Sequence, residues 1–280
     1  MLEAATVRSV ERAAPPIAWA EPQLVLRFLS DTLTIAESEV RKVIRDPFEL
    51  ATRAIQPVLW LVVFGEVLAQ TRAIATGSLP YLDFLTPGVL AQSALFIAIF
   101  YGIAVIWERD LGVVQKMLVS PAPRVALVLG KALAGGLKGL AQAVIVYVVA
   151  FLIGVHIRLD PLAMLAVGGI VVLGSALFAS FSMIVACLVR TRERFMCIGQ
   201  VMTMPLFFAS SAIYPVTAMP GWLQAVALVN PLTYMVDAIR GLMVTGGTSE
   251  HGLLLDASVL AVGLVLLVAL ASRLYPRLAQ

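Results

Sequence analysis

The chain has 280 residues, 60% of them apolar and 13% charged, with a mean hydropathy of +0.95 and a formal net charge of +3. Soluble domains carry about a quarter charged residues, so an ordinary water-soluble domain is excluded. The basic balance does not indicate nucleic-acid binding, because the excess cations sit beside apolar stretches, where lipid headgroups and positive-charge retention account for them.

Residues 1–22 contain Pro15, Pro16 and Pro22 among scattered charges and read as a flexible tail. The first 50 residues hold no uninterrupted apolar core of the cleavable-signal kind, so the first span is expected to act as its own insertion signal. Over residues 23–46, Leu26, Leu29, Leu33, Ala36, Val40 and Val43 recur at spacings of three and four. Arg27, Asp31, Glu37, Arg41 and Lys42 fill the other face. This pattern predicts an amphipathic helix that stops at Asp46-Pro47. It is too charged to span a bilayer and is expected to lie at the cytoplasmic interface, against lipid or a partner.

Residues 47–280 then predict an all-α membrane domain of six transmembrane helices. The spans fall at about 54–69, 84–106, 139–157, 162–189, 195–213 and 257–273. With the N-terminus inside, 17 of the 20 Lys and Arg fall on the cytoplasmic side and only Arg72, Arg158 and Arg240 fall outside. This asymmetry predicts a multi-pass inner-membrane protein with both termini cytoplasmic. The segment 214–256 is too apolar for a solvated loop, yet its two helical runs, broken at Asn230-Pro231, are each too short to cross. It reads as a re-entrant hairpin on the outer side, a backbone tolerated at membrane depth only when buried in protein or lining a cavity. Asp237 and Arg240 are three apart on its second half and are positioned to pair.

No catalytic constellation is readable. The Gly130-Lys131 pair is followed by Ala132 and lacks the upstream glycine of a phosphate-binding loop, and no serine lies in a Gly-x-Ser-x-Gly frame. His156 and His251 are far apart without ligand spacing, so no metal site is expected. Cys187 and Cys197 read as small packing residues in a reducing compartment. The span interiors hold almost no ionisable residues, which argues against a proton- or sodium-coupled carrier. Gly135 and Gly139 predict close helix packing.

The segment from Glu108 to Arg124 starts with a charged cluster at the inner end of the second span. It continues as a short amphipathic run with Leu111, Val114 and Leu118, and stops at Pro121 and Pro123. Physically it is a brief surface helix tied to a span, able to pass a push from a soluble partner into the membrane; as a bare pattern it also suits an inert connecting loop. Glu108-Arg109, Gly112, Leu118, Pro121 and Arg124 resemble the coupling segment of the permease subunits of type-2 ABC exporters. Pro220-Gly221-Trp222-Leu223, Asn230-Pro231-Leu232-Thr233-Tyr234 and Arg240-Gly241 are similar to that family's outer hairpin. Gln56-Pro57-Val58-Leu59-Trp60 with Phe64-Gly65, and Tyr81 to Gly88, resemble its first two spans. The matches run in order from about residue 40 to 274, and the daunorubicin-resistance group of drug and lipid exporters is the most similar. Val113 and Gln115 stand where that family often has Thr and Glu, a departure at the expected polar contact with the ATPase.

The resemblance implies a non-catalytic permease, working as a dimer with a second permease copy and with two copies of a separate ATP-binding subunit that carries ATP and magnesium. Coupling is expected through Glu108, Arg109, Gly112, Leu118, Pro121 and Arg124. The outer hairpin is expected to use Trp222, Asn230, Pro231, Tyr234, Asp237 and Arg240. Gln56, Trp60, Phe96, Phe100, Met204 and Phe207 are candidates for a substrate path suited to a hydrophobic drug, natural product or lipid. Alternatives are a stand-alone channel or ion-coupled carrier, a membrane scaffold that recruits a soluble enzyme, and, for cargo, a polysaccharide.

Overall fold

A computed structural model describes residues 30, 32–34, 37, 52, 55–71, 79–119, 123–189 and 191–279. The expected tail, most of the expected amphipathic helix, Arg72 and Pro121 lie outside the described residues. The described chain is helical, and its one departure is an isolated antiparallel bridge between Ile157 and Val244. In order it comprises α1 (Ile55–Gln70), α2 (Tyr81–Asp110), α3 (Val113–Val119), α4 (Arg124–Ile153), α5 (Pro161–Leu188), α6 (Arg192–Phe208), α7 (Gly221–Val229), α8 (Pro231–Met243) and α9 (Leu253–Leu274). A 3-10 turn, Tyr275–Ala279, follows. Within α1, Trp60–Gly65 is a π-helical turn.

Local chemistry sets the helix ends. Asp160 caps α5 by accepting from the Leu162 amide at 3.2 Å, with Pro161 at the first helical position, where its missing N–H is not needed. Gly154 ends α4 in the left-handed region at φ 86°, and its amide donates back to the last turn. Thr191 accepts from the Arg194 amide to start α6.

Four helices are long and apolar enough to cross a membrane: α2, α4, α5 and α9 with its terminal turn. The expected first and fifth spans correspond to the shorter α1 and α6. The largest displacement from expectation is in α4, which begins at Arg124 instead of 139 and ends at Ile153 instead of 157. Lys131 and Lys138 are therefore helical rather than in a loop.

α2 and α5 form the centre of the bundle, with α4, α8 and α9 packed round them. As expected, α4 meets α5 through small residues. A Cβ placed on Gly135 would lie 2.8 Å from Ala179 Cβ, and one on Gly139 would lie 2.3 Å from Ser175 Oγ. In lipid, where apolar surface gains little by leaving its solvent, such close approach supplies the dispersion contact that holds helices together. The succession of α2, α4, α5 and α9 puts Asp110, Arg124, Leu188 and Tyr275 at one end of the bundle and Asp83, His156, Pro161 and Leu253 at the other.

Candidate transport cavity and coupling turn

α2 ends in a turn that only glycine accommodates without strain. Gly112 has φ 71°, and its amide donates to the Arg109 carbonyl at 2.9 Å. A Cβ there would meet nothing nearer than Gln115 Oε1 at 3.8 Å, so the dihedral and not crowding selects glycine. The turn leaves Leu111 exposed and redirects the chain into α3, which buries Val114 and exposes Val119. α3 packs on α2 and on the terminal 3-10 turn.

Two sets of charges fix this turn. Asp110 accepts from Arg109 through Oδ1 (3.1 and 3.0 Å) and from Arg192 through Oδ2 (3.1 and 2.7 Å). Arg109 also donates to the Val189 carbonyl at 3.2 Å, and the Arg192 guanidinium lies 3.7 Å from the centre of the Trp107 ring. The end of α2 is thus tied to the junction of α5 and α6. One turn earlier, Glu108 pairs with Lys131 of α4, whose side chain is almost fully buried. Of the expected coupling residues, Gly112 shapes the turn, Arg109 holds it, Glu108 faces inward, Leu118 packs against the core and Arg124 is exposed at the start of α4.

Directly beside the turn is a cavity of about 730 Å³, within the 300–1,000 Å³ range of small-molecule sites. One face of α2 forms its main wall: Ser93, Phe96, Ile97, Phe100, Ala104 and Trp107 recur at helical spacing. Phe96 and Phe100 stack with centroids 6.1 Å apart. Gln56 and Pro57 close one side, and Lys138 and Gln142 of α4 the other. Lys138 Nζ lies 5.2 Å from the Tyr101 ring centre. Glu108 lines the cavity as well, so cavity wall and turn are continuous.

The structure therefore brings Gln56, Phe96 and Phe100 together. It puts Trp60 instead in an aromatic cluster, edge-on to Phe64 and Phe207 at 4.6 and 5.5 Å, and leaves Met204 exposed on α6. Sequence reasoning missed Trp107, Lys138 and Gln142. The i, i+4 spacing of Lys138 and Gln142 on an apolar helix was the available signal, obscured because Lys138 was counted as loop.

At the other end, Asn230 organises the α7–α8 hairpin. Its Oδ1 accepts from the Leu232 amide at 3.0 Å, and its Nδ2 donates to the carbonyls of Leu206 (2.7 Å) and Ala209 (3.0 Å) at the end of α6. Pro231 starts α8. The Tyr234 hydroxyl donates to the Leu228 carbonyl at 2.6 Å, and Trp222 is exposed. The expected Asp237–Arg240 pair is not made. Arg240 is buried and donates to the Ser211 carbonyl at 2.6 Å, its guanidinium 3.9 Å from the centre of the Phe84 ring. Asp237 instead accepts from the amides of Glu250 and His251, both at 3.0 Å. Helical spacing permits the pair, but each side chain finds a nearer partner on a neighbouring segment.

Long apolar helices round a small-residue seam, with an aromatic cavity opening beside a rigid turn, define a multi-pass membrane protein of the transporter class. The chain belongs to the ABC-2 type transporter family, whose pattern it matches over residues 30–244. It is 28% identical over 220 residues to a putative transport permease, ycf38, of Cyanophora paradoxa, covering 76% of this chain and 74% of that protein. It is 27% identical over 237 residues to the daunorubicin resistance ABC transporter permease protein DrrB1 of Streptomyces coeruleorubidus, covering 82% and 80%. It is also 27% identical over 203 residues to nodulation protein J of Rhizobium meliloti, covering 72% and 76%.

Proposed function

We propose that the chain is the permease subunit of an ATP-driven exporter that moves a hydrophobic drug, natural product or lipid outward across the bacterial inner membrane. Hydrolysis of ATP with magnesium takes place on a separate ATP-binding subunit present in two copies, and a second permease copy completes the route. α1 and α6 serve as short first and fifth crossings, α7–α8 as a re-entrant hairpin, and both termini lie in the cytoplasm. At 1.5 Å per residue the 17 residues of α6 reach about 25 Å, close to the hydrocarbon thickness.

The observation that carries this reading is that one helix, α2, supplies both the aromatic wall of the cavity and the turn at Gly112. A push on α3 from a cytoplasmic partner reaches the wall within two helical turns. The cavity's aromatic side chains suit a greasy cargo of variable shape, and the family membership supports a transport role. The daunorubicin-resistance permease among the relatives supports a drug as cargo.

The test is reconstitution in proteoliposomes with the ATP-binding subunit that co-purifies with this chain. Gly112→Ala forces a side chain into the left-handed region and is expected to lower cargo-stimulated hydrolysis several-fold. Phe100→Ala is expected to raise the apparent KM for cargo while basal hydrolysis stays. Hydrolysis indifferent to Gly112→Ala defeats the coupling role, and cargo flux that follows an ion gradient without nucleotide replaces the reading with a secondary carrier.

A further inference from the structure

We propose that Asp237, His251 and Asp256 form a binding site for one divalent transition-metal cation, with zinc as its natural probe, that ties α8 to the first turn of α9. The inference is independent of the transport reading. One ligand atom from each of the three residues lies within 4.8 Å of the other two. Three atoms sharing a metal at about 2.0–2.2 Å stand about 3.3–3.8 Å from one another; His251 Nδ1 and Asp237 Oδ2 are already 3.0 Å apart, and a side-chain adjustment of up to about 1.5 Å completes the geometry.

The hydrogen-bond inventory of the cluster is short of positive charge. Asp237 Oδ1 accepts from the Glu250 amide; Asp237 Oδ2 accepts from the His251 amide and lies 3.0 Å from His251 Nδ1 and 3.2 Å from Ser249 Oγ. The same Ser249 hydroxyl lies 2.8 Å from Asp256 Oδ2. It has one hydrogen and faces two carboxylates, so it serves one of them at a time. Asp256 has no exposed surface, and its Oδ1 has no hydrogen-bond partner. A buried carboxylate oxygen left in this condition is costly and calls for a cation.

No arginine or lysine among the described residues makes a salt bridge with the cluster; the charge of Arg240 reaches Asp237 only through space. Arg240, on the same helix as Asp237, is turned toward the Ser211 and Phe84 carbonyls. The basic side chain in contact is His251 alone among the described residues. Its imidazole nitrogen with two carboxylates is a donor set for zinc or manganese; calcium and magnesium favour oxygen alone. Binding through Nδ1 keeps the remaining ring proton on Nε2 and releases any proton on Nδ1. The surroundings hold the ligands in place: two backbone amides fix Asp237, the Gly252 amide donates to Ser249 Oγ at 2.8 Å, and the Tyr234 ring lies 5.2 Å from the His251 ring.

The experiment uses the purified full chain in detergent, stripped with chelator and titrated with zinc chloride, with binding read by calorimetry and elemental analysis. One zinc per chain is expected, with a rise in the thermal unfolding midpoint that magnesium does not give. Asp256→Asn and His251→Gln are each expected to weaken zinc at least about tenfold, the scale on which even supporting partners of a ligand act. His251 is partly exposed, so His251→Gln keeps the test valid if Asp256→Asn fails to fold. Zinc binding of equal affinity and stoichiometry in wild type and His251→Gln overturns the proposal, as does the lack of saturable binding to wild type.

Discussion

At one end of the bundle Asp110 lies between Arg109 and Arg192, and Glu108 meets Lys131. At the other, Asp83 faces His156, and Asp237 and Asp256 share His251. Acidic residues stand at both ends, but their partners differ. Among the described residues Arg109, Arg124, Arg192, Arg194, Arg273 and Arg277 lie toward the first end, and Arg158 and Arg240 toward the second. Carboxylates at the arginine-rich end are neutralised by cationic side chains reaching across helices. Those at the far end rely on backbone amides, hydroxyls and histidine. The uneven spread of cations between the two ends of the bundle thus goes with a difference in how the acids there are satisfied.

The strongest way to break this comparison is at the buried pair. Lys131→Met leaves Glu108 facing an apolar side chain, and breaking a buried pair typically costs about 3–5 kcal/mol. Combining it with Glu108→Gln is expected to restore most of the loss, measured as unfolding free energy in detergent. Equal loss in the single and double variants refutes the pair as the source. The far end offers the next effect. Asn230→Ala removes a helix cap worth about 1 kcal/mol and two donors to the end of α6, each worth about another. A fall of about 2–3 kcal/mol is expected, with Asn230→Ser, which keeps a capping oxygen and loses the two donors, intermediate. The smallest is Arg192→Lys, which keeps the charge but gives up the two-toothed grip on Asp110 and the stacking on Trp107. Because that pair is about one-third exposed, a change below about 1 kcal/mol is expected from the same measurement.

Much of this was legible from periodicity and punctuation. Asn230-Pro231 marked the break between α7 and α8, because capping and proline geometry are local. Gly112 stood out between a charged cluster and an amphipathic run, and its left-handed turn supplies the reason. What could not be read depended on partners distant in sequence. Lys131 looked like a loop cation because Glu108 lies 23 residues away on another helix. Lys138 sits over Tyr101 for a similar reason. Apart from Gln56, the substrate-path candidates are large and apolar, a property that Met204 shares with lipid-facing residues and that cannot by itself separate a cavity wall from an outer face. His251 and Asp256 gave no ligand-spacing pattern, since the loop that gathers them with Asp237 is defined only by the tertiary fold.

The double clamp on Asp110 has a mechanical consequence. A single carboxylate binds guanidiniums rooted in two helices, and one of them also grips the Val189 carbonyl. Any force tilting the stub below α2 is divided at once between that helix and the start of α6, instead of travelling along one rod. The two helices that meet there share the load, and Asp110→Asn removes that one tie while their packing at Gly102 and Phe195 stays.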